Sequence, residues 1–453
     1  MNKFIQNAYK KNNPLITIVF LVAVSLLIRL LYFFILITKN PEGVLTFDSY
    51  PYIQLGKNIW EQHVFSRLQN SPYYAEHIRV PLYPLIIGLF GNKLLNIIIF
   101  QIVLCGLNTY LIIAICKQLK ITIKITILVS LLYSISINSC LQSTTILTEI
   151  FCESLVLSAM LCLAIYLNKN SILYLIFCSL LFGLALFTKP IFLWIIPVLV
   201  FVLMVRSKKI KMGLLLLFPL IIYTGWSFRN FKIFNKFFYA NIDIQNLAFF
   251  RAAEIDAYFN NLSLDINQQL IRTITVEKLK SEFKMVHEYD TPIFYNQLRS
   301  DAIDKITSHP FVFLKLNLIN SIKLIFNPCN KILNYQFDKH QMQLELKNKD
   351  LNWKEKINVF FKSINTIDYL ILLLSLLGSF ICMLAIFAAF YFLFTKNNLI
   401  VIAYSVLILT LFVLSIGPES DARLRYILEP IAIVIVGKLF NDHVLNKWLK
   451  NVV

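Results

Sequence analysis

The sequence predicts an all-α, polytopic membrane protein of about ten transmembrane helices, or roughly twelve if interfacial or re-entrant helices are counted. Three observations predict it. Of 453 residues, 58% are hydrophobic and only 15% are charged, against about 45–50% and about 25% in a typical soluble domain. The mean hydropathy is +0.67. Long apolar runs alternate with short, basic loops. Together these exclude a secreted disulfide scaffold, a disordered chain and an ordinary cytosolic enzyme. The formal charge of +18, from 43 Lys and Arg against 25 Asp and Glu, would suggest nucleic acid in a soluble protein. Here it has a duller source, because cytoplasmic loops of membrane proteins carry excess Lys and Arg. No nucleic-acid partner is expected.

A bilayer core needs about 20 mainly apolar residues per helix. On that rule, spans are expected near 14–38, 93–116, 121–140, 149–167, 171–187, 190–205, 212–228, 367–394, 398–416 and 426–440. The first run is too long for a signal-peptide core and lacks a small-residue cleavage site, so it reads as a retained span. An even number of spans puts both termini on one side. Lys3, Lys10, Lys11, Lys117, Lys120, Lys124, Lys169, Arg206, Lys208, Lys209, Lys211, Lys396, Lys447 and Lys450 then share that side. The positive-inside rule makes it the cytoplasm. Three regions follow: a membrane module 1–228 with a first outer loop 39–92, a large outer loop or small helical layer 229–366, and C-terminal membrane helices with a cytoplasmic tail 367–453. Within the second, residues 311–326 are apolar but interrupted by Lys315 and Lys323. That pattern suits a helix lying in the interface better than a span. Of eight Cys, Cys105, Cys116, Cys152, Cys162, Cys178 and Cys382 lie in or beside apolar runs, as small hydrophobes do. No spacing suggests a disulfide framework or a metal site.

The first outer loop carries the densest information. Asp48 or Ser49 can cap a helix whose first turn holds Pro51. Tyr52, Ile53, Gly56, Ile59, Trp60 and Val64 fall on one face, and Lys57, Asn58, Glu61 and Gln62 on the other, an amphipathic helix for the outer leaflet. Residues 77–90 then return to the membrane. Glu76 and His77 read as solvated loop residues. Glu149 and Glu153, four apart, share a face at the start of the fourth span. Carboxylates there are costly and mark function by default. Arg29 lies inside the first span with no partner legible in the sequence. Otherwise the span centres are almost free of charge.

The order of these features resembles the GT-C superfamily of membrane glycosyltransferases, in its family 39-like branch of protein O-mannosyltransferases and lipid A aminoarabinose transferases. The resemblance rests on Asp48 and Tyr52 in the first outer loop, followed by Arg79-Val80-Pro81-Leu82-Tyr83-Pro84, where Val80 stands in place of the usual first Pro. Softer matches are Thr148-Glu149, Thr188-Lys189-Pro190, Trp226-Ser227-Phe228-Arg229-Asn230 and Arg423-Leu424-Arg425-Tyr426. It covers roughly 14–240 and 367–440 and leaves 241–366 unexplained.

The resemblance implies transfer of a sugar from a polyprenyl-phosphate donor to a protein or glycan acceptor, with inversion, at the outer face of a bacterial-type inner membrane. The attacking hydroxyl needs a base, and Asp48 is the candidate. The phosphate leaves without a general acid, but it needs cations. Arg79, Lys189, Arg229, Arg423 and Arg425 are expected on that side, against the positive-inside trend, with Tyr52, Tyr83, Glu149 and Asn230 around them. Contacts with anionic membrane lipids are the plainer reading of those cations. Asp48 and Glu149 are also the pair that would hold a divalent metal, since carboxylates suit hard cations. Some relatives use one and others do not, and no tight ligand spacing marks one here. Two other classes stay open. An O-antigen-type polymerase or ligase would use outer Arg and His, such as Arg251, Arg272, Arg299 and His309. A lipid-linked glycan transporter would show internal repeats and broken helices with polar midplane residues.

Overall fold

A computed structural model describes residues 14–91, 93–283, 292–326, 336, 366–419 and 425–445 of the chain. The basic N-terminal stretch, Arg423 and the basic tail from Lys447 lie outside the described residues. No strand occurs among the described residues.

Every expected span falls on helix. The membrane-related helices are α1 (Pro14–Lys39), α2 (Ser49–Glu61), α3 (Leu82–Leu89), α4 (Leu94–Gln118), α5 (Ile123–Ile135), α6 (Ile137–Ser143), α7 (Glu149–Lys169), α8 (Ile172–Leu186), α9 (Phe192–Ser207) and α10 (Leu217–Phe234). A second stretch adds α11 (Ala253–Asn260), α12 (Leu264–Phe283), α13 (Pro292–Ser308) and α14 (Pro310–Phe326). The last three are α15 (Thr366–Thr395), α16 (Leu399–Leu414) and α17 (Leu428–Phe440). Among the described residues, five helices are long and apolar enough to cross a membrane by themselves: Leu15–Lys39, Leu94–Gln118, Glu149–Lys169, Ile210–Phe234 and Tyr369–Thr395. The chain is an integral membrane protein.

α7 is the hub. It packs on α4 and α8, while α10 packs on α8, α9 on α16, and α15 on α16 and α17. The most apolar stretch of α7 is 67% buried, against 17% for that of α1, which faces outward along most of its length. Tight turns join neighbours: Asn170 closes α7 in a left-handed conformation (φ 56°), which Asn tolerates better than most residues.

The expected third span is not continuous. α5 and α6 are bent by 53° at Ser136, a break the composition did not predict. A break in an apolar medium strands backbone carbonyls, and each must find a donor. Arg29, fully buried in α1, supplies the donors. Its Nη1 and Nη2 donate to the carbonyls of Ser134 and Tyr133, each at 3.2 Å, and Nη2 donates to Ser139 Oγ at 2.6 Å. Nη1 also reaches Ser25 Oγ at 2.9 Å. Glu429 grips the other side of the break, accepting from Ser136 Oγ at 2.7 Å and Asn138 Nδ2 at 3.0 Å. Glu153 accepts from Asn108 at 2.8 Å and Tyr133 at 2.7 Å. The bundle interior is therefore more polar than the sequence suggested.

The first loop folds against the membrane helices. α2 and α3 meet where a Cβ on Gly88 would lie 2.3 Å from Trp60 Cδ1 and 2.7 Å from the Gly56 carbonyl oxygen. Trp60 Nε1 donates to the Leu85 carbonyl at 2.9 Å. Asn58, expected on the polar face of α2, is buried and donates to the carbonyls of Ser66 and Leu68, each at 2.7 Å. It organises the loop beyond the helix.

Between α10 and α14 a helical layer sits over the loops. Its core joins Ala248, Phe249, Leu298 and Ala302 to Ile78 of the first loop. On α14, Leu316, Asn320 and Leu324 face inward, whereas Phe311, Leu314, Leu318 and Ile322 are exposed. The exposed row suits a lipid interface, and the helix packs on α15. The opposite end of the bundle gathers basic residues. There Lys396 and Lys438 pair with Asp442, Arg206 donates to the Leu393 carbonyl, and the Thr122 N–H donates to Asn441.

Two outcomes follow from these contacts. Arg29→Met takes the donor from the Ser134 carbonyl, while Tyr133 keeps the Ser136 N–H, and is expected to cost about 1–3 kcal/mol for the unsatisfied group; equilibrium unfolding in mixed micelles measures it. Gly88→Ala forces α2 from α3 and is expected to cost about 1–3 kcal/mol as an overpacking change, with faster protease cleavage in 62–76 as its marker.

Candidate functional site

The site begins with a cap position that is not used as a cap. Asp48 precedes α2, yet its side chain accepts no N–H from the helix. Ser49 takes over the local turn, its Oγ accepting the Thr46 N–H at 2.9 Å. Asp48 instead accepts from Arg79 Nη2 at 2.9 Å, with 30% of the Asp48 side chain and 19% of that of Arg79 exposed. Arg79 Nη1 donates to the Tyr52 hydroxyl at 3.1 Å, and the guanidinium lies 5.1 Å from the Tyr52 ring centroid.

Arg79 is held by its backbone as well. Glu76 Oε1 accepts the N–H groups of His77 (3.1 Å), Ile78 (2.6 Å) and Arg79 (3.0 Å). Its other oxygen pairs with Arg67. Such a nest of N–H groups around one carboxylate fixes the local chain. His77 is buried rather than solvated. Its Nδ1 lies 3.0 Å from Asn241 Nδ2, and its carbonyl accepts the Asn241 N–H at 3.0 Å. The imidazole fills a gap between Phe234, Phe238 and Tyr295. The expected solvated role fails because the helical layer covers this stretch of loop.

A second ion pair lies on segments that hydrogen-bond to the first loop. Glu149 opens α7 and is buried, and its Oε1 accepts from Lys189 Nζ at 3.0 Å. Lys189 lies in the turn from α8 to α9 and remains 21% exposed. Two backbone bonds staple these segments to the first loop. The Ile146 N–H donates to the Val44 carbonyl at 3.0 Å, and the Leu82 N–H to the Phe187 carbonyl at 3.3 Å. Tyr83 lies between the two pairs, its ring edge-on to Tyr52 at 5.4 Å and within electrostatic reach of Glu149. Its hydroxyl is engaged inward with Gln101, so it faces the protein interior.

The remaining sequence candidates occupy other places. Arg229 donates to the Glu76 carbonyl at 2.7 Å and covers the Trp226 ring at 4.8 Å. It joins the site through the Glu76 segment. Asn230 is buried and donates to the carbonyls of Phe238 and Tyr239, closing the turn after α10. Arg425 is buried and donates to the carbonyls of Leu324 and Ile325 at the end of α14, where basic side chains answer the helix dipole. Arg423 lies outside the described residues. Arg251, on a π-helical turn, donates to the Ile416 carbonyl at 2.8 Å. Nearby, burial pushes the Glu254 carboxyl above its ordinary range, while Asn320 and Lys323 oppose the shift.

Among the described residues, no group of three or more His, Cys, Asp and Glu side chains gathers as metal ligands. Asp48 and Glu149 each already face a cation of the protein. To hold a divalent metal, both would have to turn from Arg79 and Lys189.

No family model and no curated protein matches the chain. Solved structures with a similar path of helices do exist. One is the Archaeoglobus fulgidus oligosaccharyltransferase in its apo form, at 12% identity and a TM-score of 0.47, covering 97% of this chain and 52% of that one. Another is ArnT from Cupriavidus metallidurans, in the apo state and bound to undecaprenyl phosphate. Each form shows 11% identity and a TM-score of 0.38 over 93% of this chain, with 76% and 77% of those chains covered. This chain therefore spans about half the length of the archaeal protein.

Sequence reasoning missed Glu76, Arg67 and Asn241. Their roles depend on backbone N–H groups and on a partner far along the chain, and neither leaves a spacing signal. Glu76→Ala is expected to release residues 77–79, with amide exchange there at least tenfold faster and α7 exchange unchanged, read by hydrogen–deuterium exchange.

Proposed function

We propose that this protein is a membrane glycosyltransferase of the GT-C superfamily, moving a sugar from a polyprenyl-phosphate donor to an acceptor hydroxyl with inversion. The observation that carries the reading is the orientation of Asp48. A carboxylate at a helix start ordinarily caps it; here the side chain makes no cap bond, stays partly exposed and faces Arg79. The resemblance of Asp48, Tyr52 and the 79–84 segment to that superfamily supports it. So does the gathering of Arg79 and Lys189 at the end of the bundle opposite its basic cluster, the outer end under the positive-inside rule.

The chemistry is a single displacement. The acceptor oxygen bonds to the anomeric carbon while the bond from that carbon to the phosphate oxygen breaks. The electron pair leaves with the phosphate, and the hydroxyl proton passes to Asp48. Phosphate is a good leaving group, so cations rather than an acid are needed. Arg79 can present a planar fork to it, and Lys189 a point charge. Transfer of Arg79 from Asp48 to the arriving phosphate would free the carboxylate for the acceptor. Tyr52 would keep the guanidinium plane oriented during that exchange. Glu149 holds Lys189 in place. The donor would enter sideways from the bilayer, and the layer of α11–α14 would cover the acceptor side.

The transporter reading anticipates a broken helix with polar midplane residues, and α5–α6 is one. Its Ser136, Asn138 and Ser139 side chains serve the helix break through Glu429 and Arg29, while the buried Gln142 amide has no partner among the described residues.

Asp48→Asn tests the proposal. Removing the base is expected to lower transfer by about 10²–10⁴-fold, with insertion and thermal stability retained. The measurement is mass spectrometry of lipid-linked sugars and envelope glycans in cells carrying each form. Accumulation of one polyprenyl-phosphate sugar in the variant supports the reading; full turnover sinks Asp48 as the base.

A further inference from the structure

Gln101 belongs to none of the groups described so far, yet it stands between the two ion pairs. It lies in α4, fully buried among Ile97, Ile98, Ile102 and Cys105. An amide in such surroundings is costly unless its polar atoms are bonded. Those of Gln101 are. Its Oε1 accepts the Tyr83 hydroxyl at 2.8 Å. Its Nε2 donates to the carbonyls of Ser143 at 3.1 Å and Thr145 at 2.8 Å.

Each partner leads to one ion pair. Tyr83 packs edge-on against Tyr52, whose hydroxyl accepts from Arg79. On the other side, Ser143 ends α6, and Thr145 is followed by Ile146, which is bonded to Val44, and then by Glu149 at the start of α7. A span residue thus touches both the segment that carries Arg79 and the segment that leads to Glu149. Only Gln has this combination of one acceptor and two donors at this reach. Glu would set a carboxylate against two carbonyl oxygens, and Asn is shorter by one methylene.

We infer that Gln101 is a positioning residue that sets the separation of the Asp48–Arg79 and Glu149–Lys189 pairs, acting through Tyr83 on one side and the Ser143 and Thr145 carbonyls on the other. The inference rests on the reading above in one respect, that both pairs meet the same phosphate. Fixing two cations before the ligand arrives saves the ordering cost of bringing them together. A glutamine serving only to fill α4 would leave that distance unchanged when removed.

The test uses the full chain in nanodiscs, with Gln101→Leu, Tyr83→Phe and the double variant. The first readout is geometric. Val44→Cys and Ile146→Cys are introduced together and the rate of disulfide trapping is followed. Trapping is expected to slow about fivefold with Gln101→Leu and about twofold with Tyr83→Phe. The second readout is binding of undecaprenyl phosphate. The expectation is about tenfold weaker binding for Gln101→Leu, about threefold for Tyr83→Phe, and no further loss in the double variant, because both changes cut one path. Trapping at the parent rate in Gln101→Leu overturns the inference, as does a double variant whose loss is the product of the two single losses. Should Gln101→Leu fail to fold, Tyr83→Phe removes one oxygen and decides alone: unchanged trapping and binding there also overturn it. If the parent protein does not bind undecaprenyl phosphate, the donor reading falls, while the trapping rates still judge the role of Gln101.

Discussion

An apolar solvent forgives no unpaired carbonyl, and the architecture turns on how one set of them is satisfied. The bend between α5 and α6 is possible because Arg29 of α1 reaches across to the Tyr133 and Ser134 carbonyls. Without that bend, the chain from 136 to 148 would continue along the helix axis and α7 would start elsewhere. With it, α6 is wholly buried, the Ile146 N–H meets the first loop, and Glu149 faces Lys189. A buried guanidinium is expensive, and it is tolerated here because the Nη1 and Nη2 donors on one rigid plane reach several carbonyl and hydroxyl oxygens at once.

The second organising device is the first loop. Its residues do different jobs within a short stretch. Gly88 and Trp60 fix α2 on α3, Asn58 holds the loop beyond α2, and Glu76 ties down three successive N–H groups. The helical layer then locks the loop from above through His77–Asn241 and Arg229–Glu76. The loop is therefore a scaffolded platform on which Asp48 and Arg79 stay partly exposed.

Much of the fold was legible because the bilayer imposes a length on apolar runs: the expected spans lie on helix, and among the described residues five of those helices are long and apolar enough to cross by themselves. The break at Ser136 was not legible. The run through 121–140 is apolar enough to read as one helix, and Ser and Asn inside a span have ordinary explanations. Of the residues singled out in the sequence, the fold joins Asp48 and Tyr52 to Arg79, and Glu149 to Lys189. Tyr83 is near them but directs its hydroxyl inward. Arg229 and Asn230 bind backbone carbonyls beside the loop, and Arg425 answers the end of α14. An arginine near a membrane surface looks the same in sequence whether its partner is a phosphate or a helix terminus. His77 and Glu76 went unrecognised because a loop residue looks solvated until the layer covering it is known.

The four charges of the two ion pairs cancel: Asp48 and Glu149 against Arg79 and Lys189. A balanced quartet casts little field into the surrounding water, so distant ions feel it weakly. Long-range electrostatic steering would therefore contribute little to an encounter. An anionic headgroup would have to arrive by lateral diffusion and compete at contact for each cation. Ionic strength would then have slight influence on how often the two meet, while the viscosity of the bilayer would set the pace.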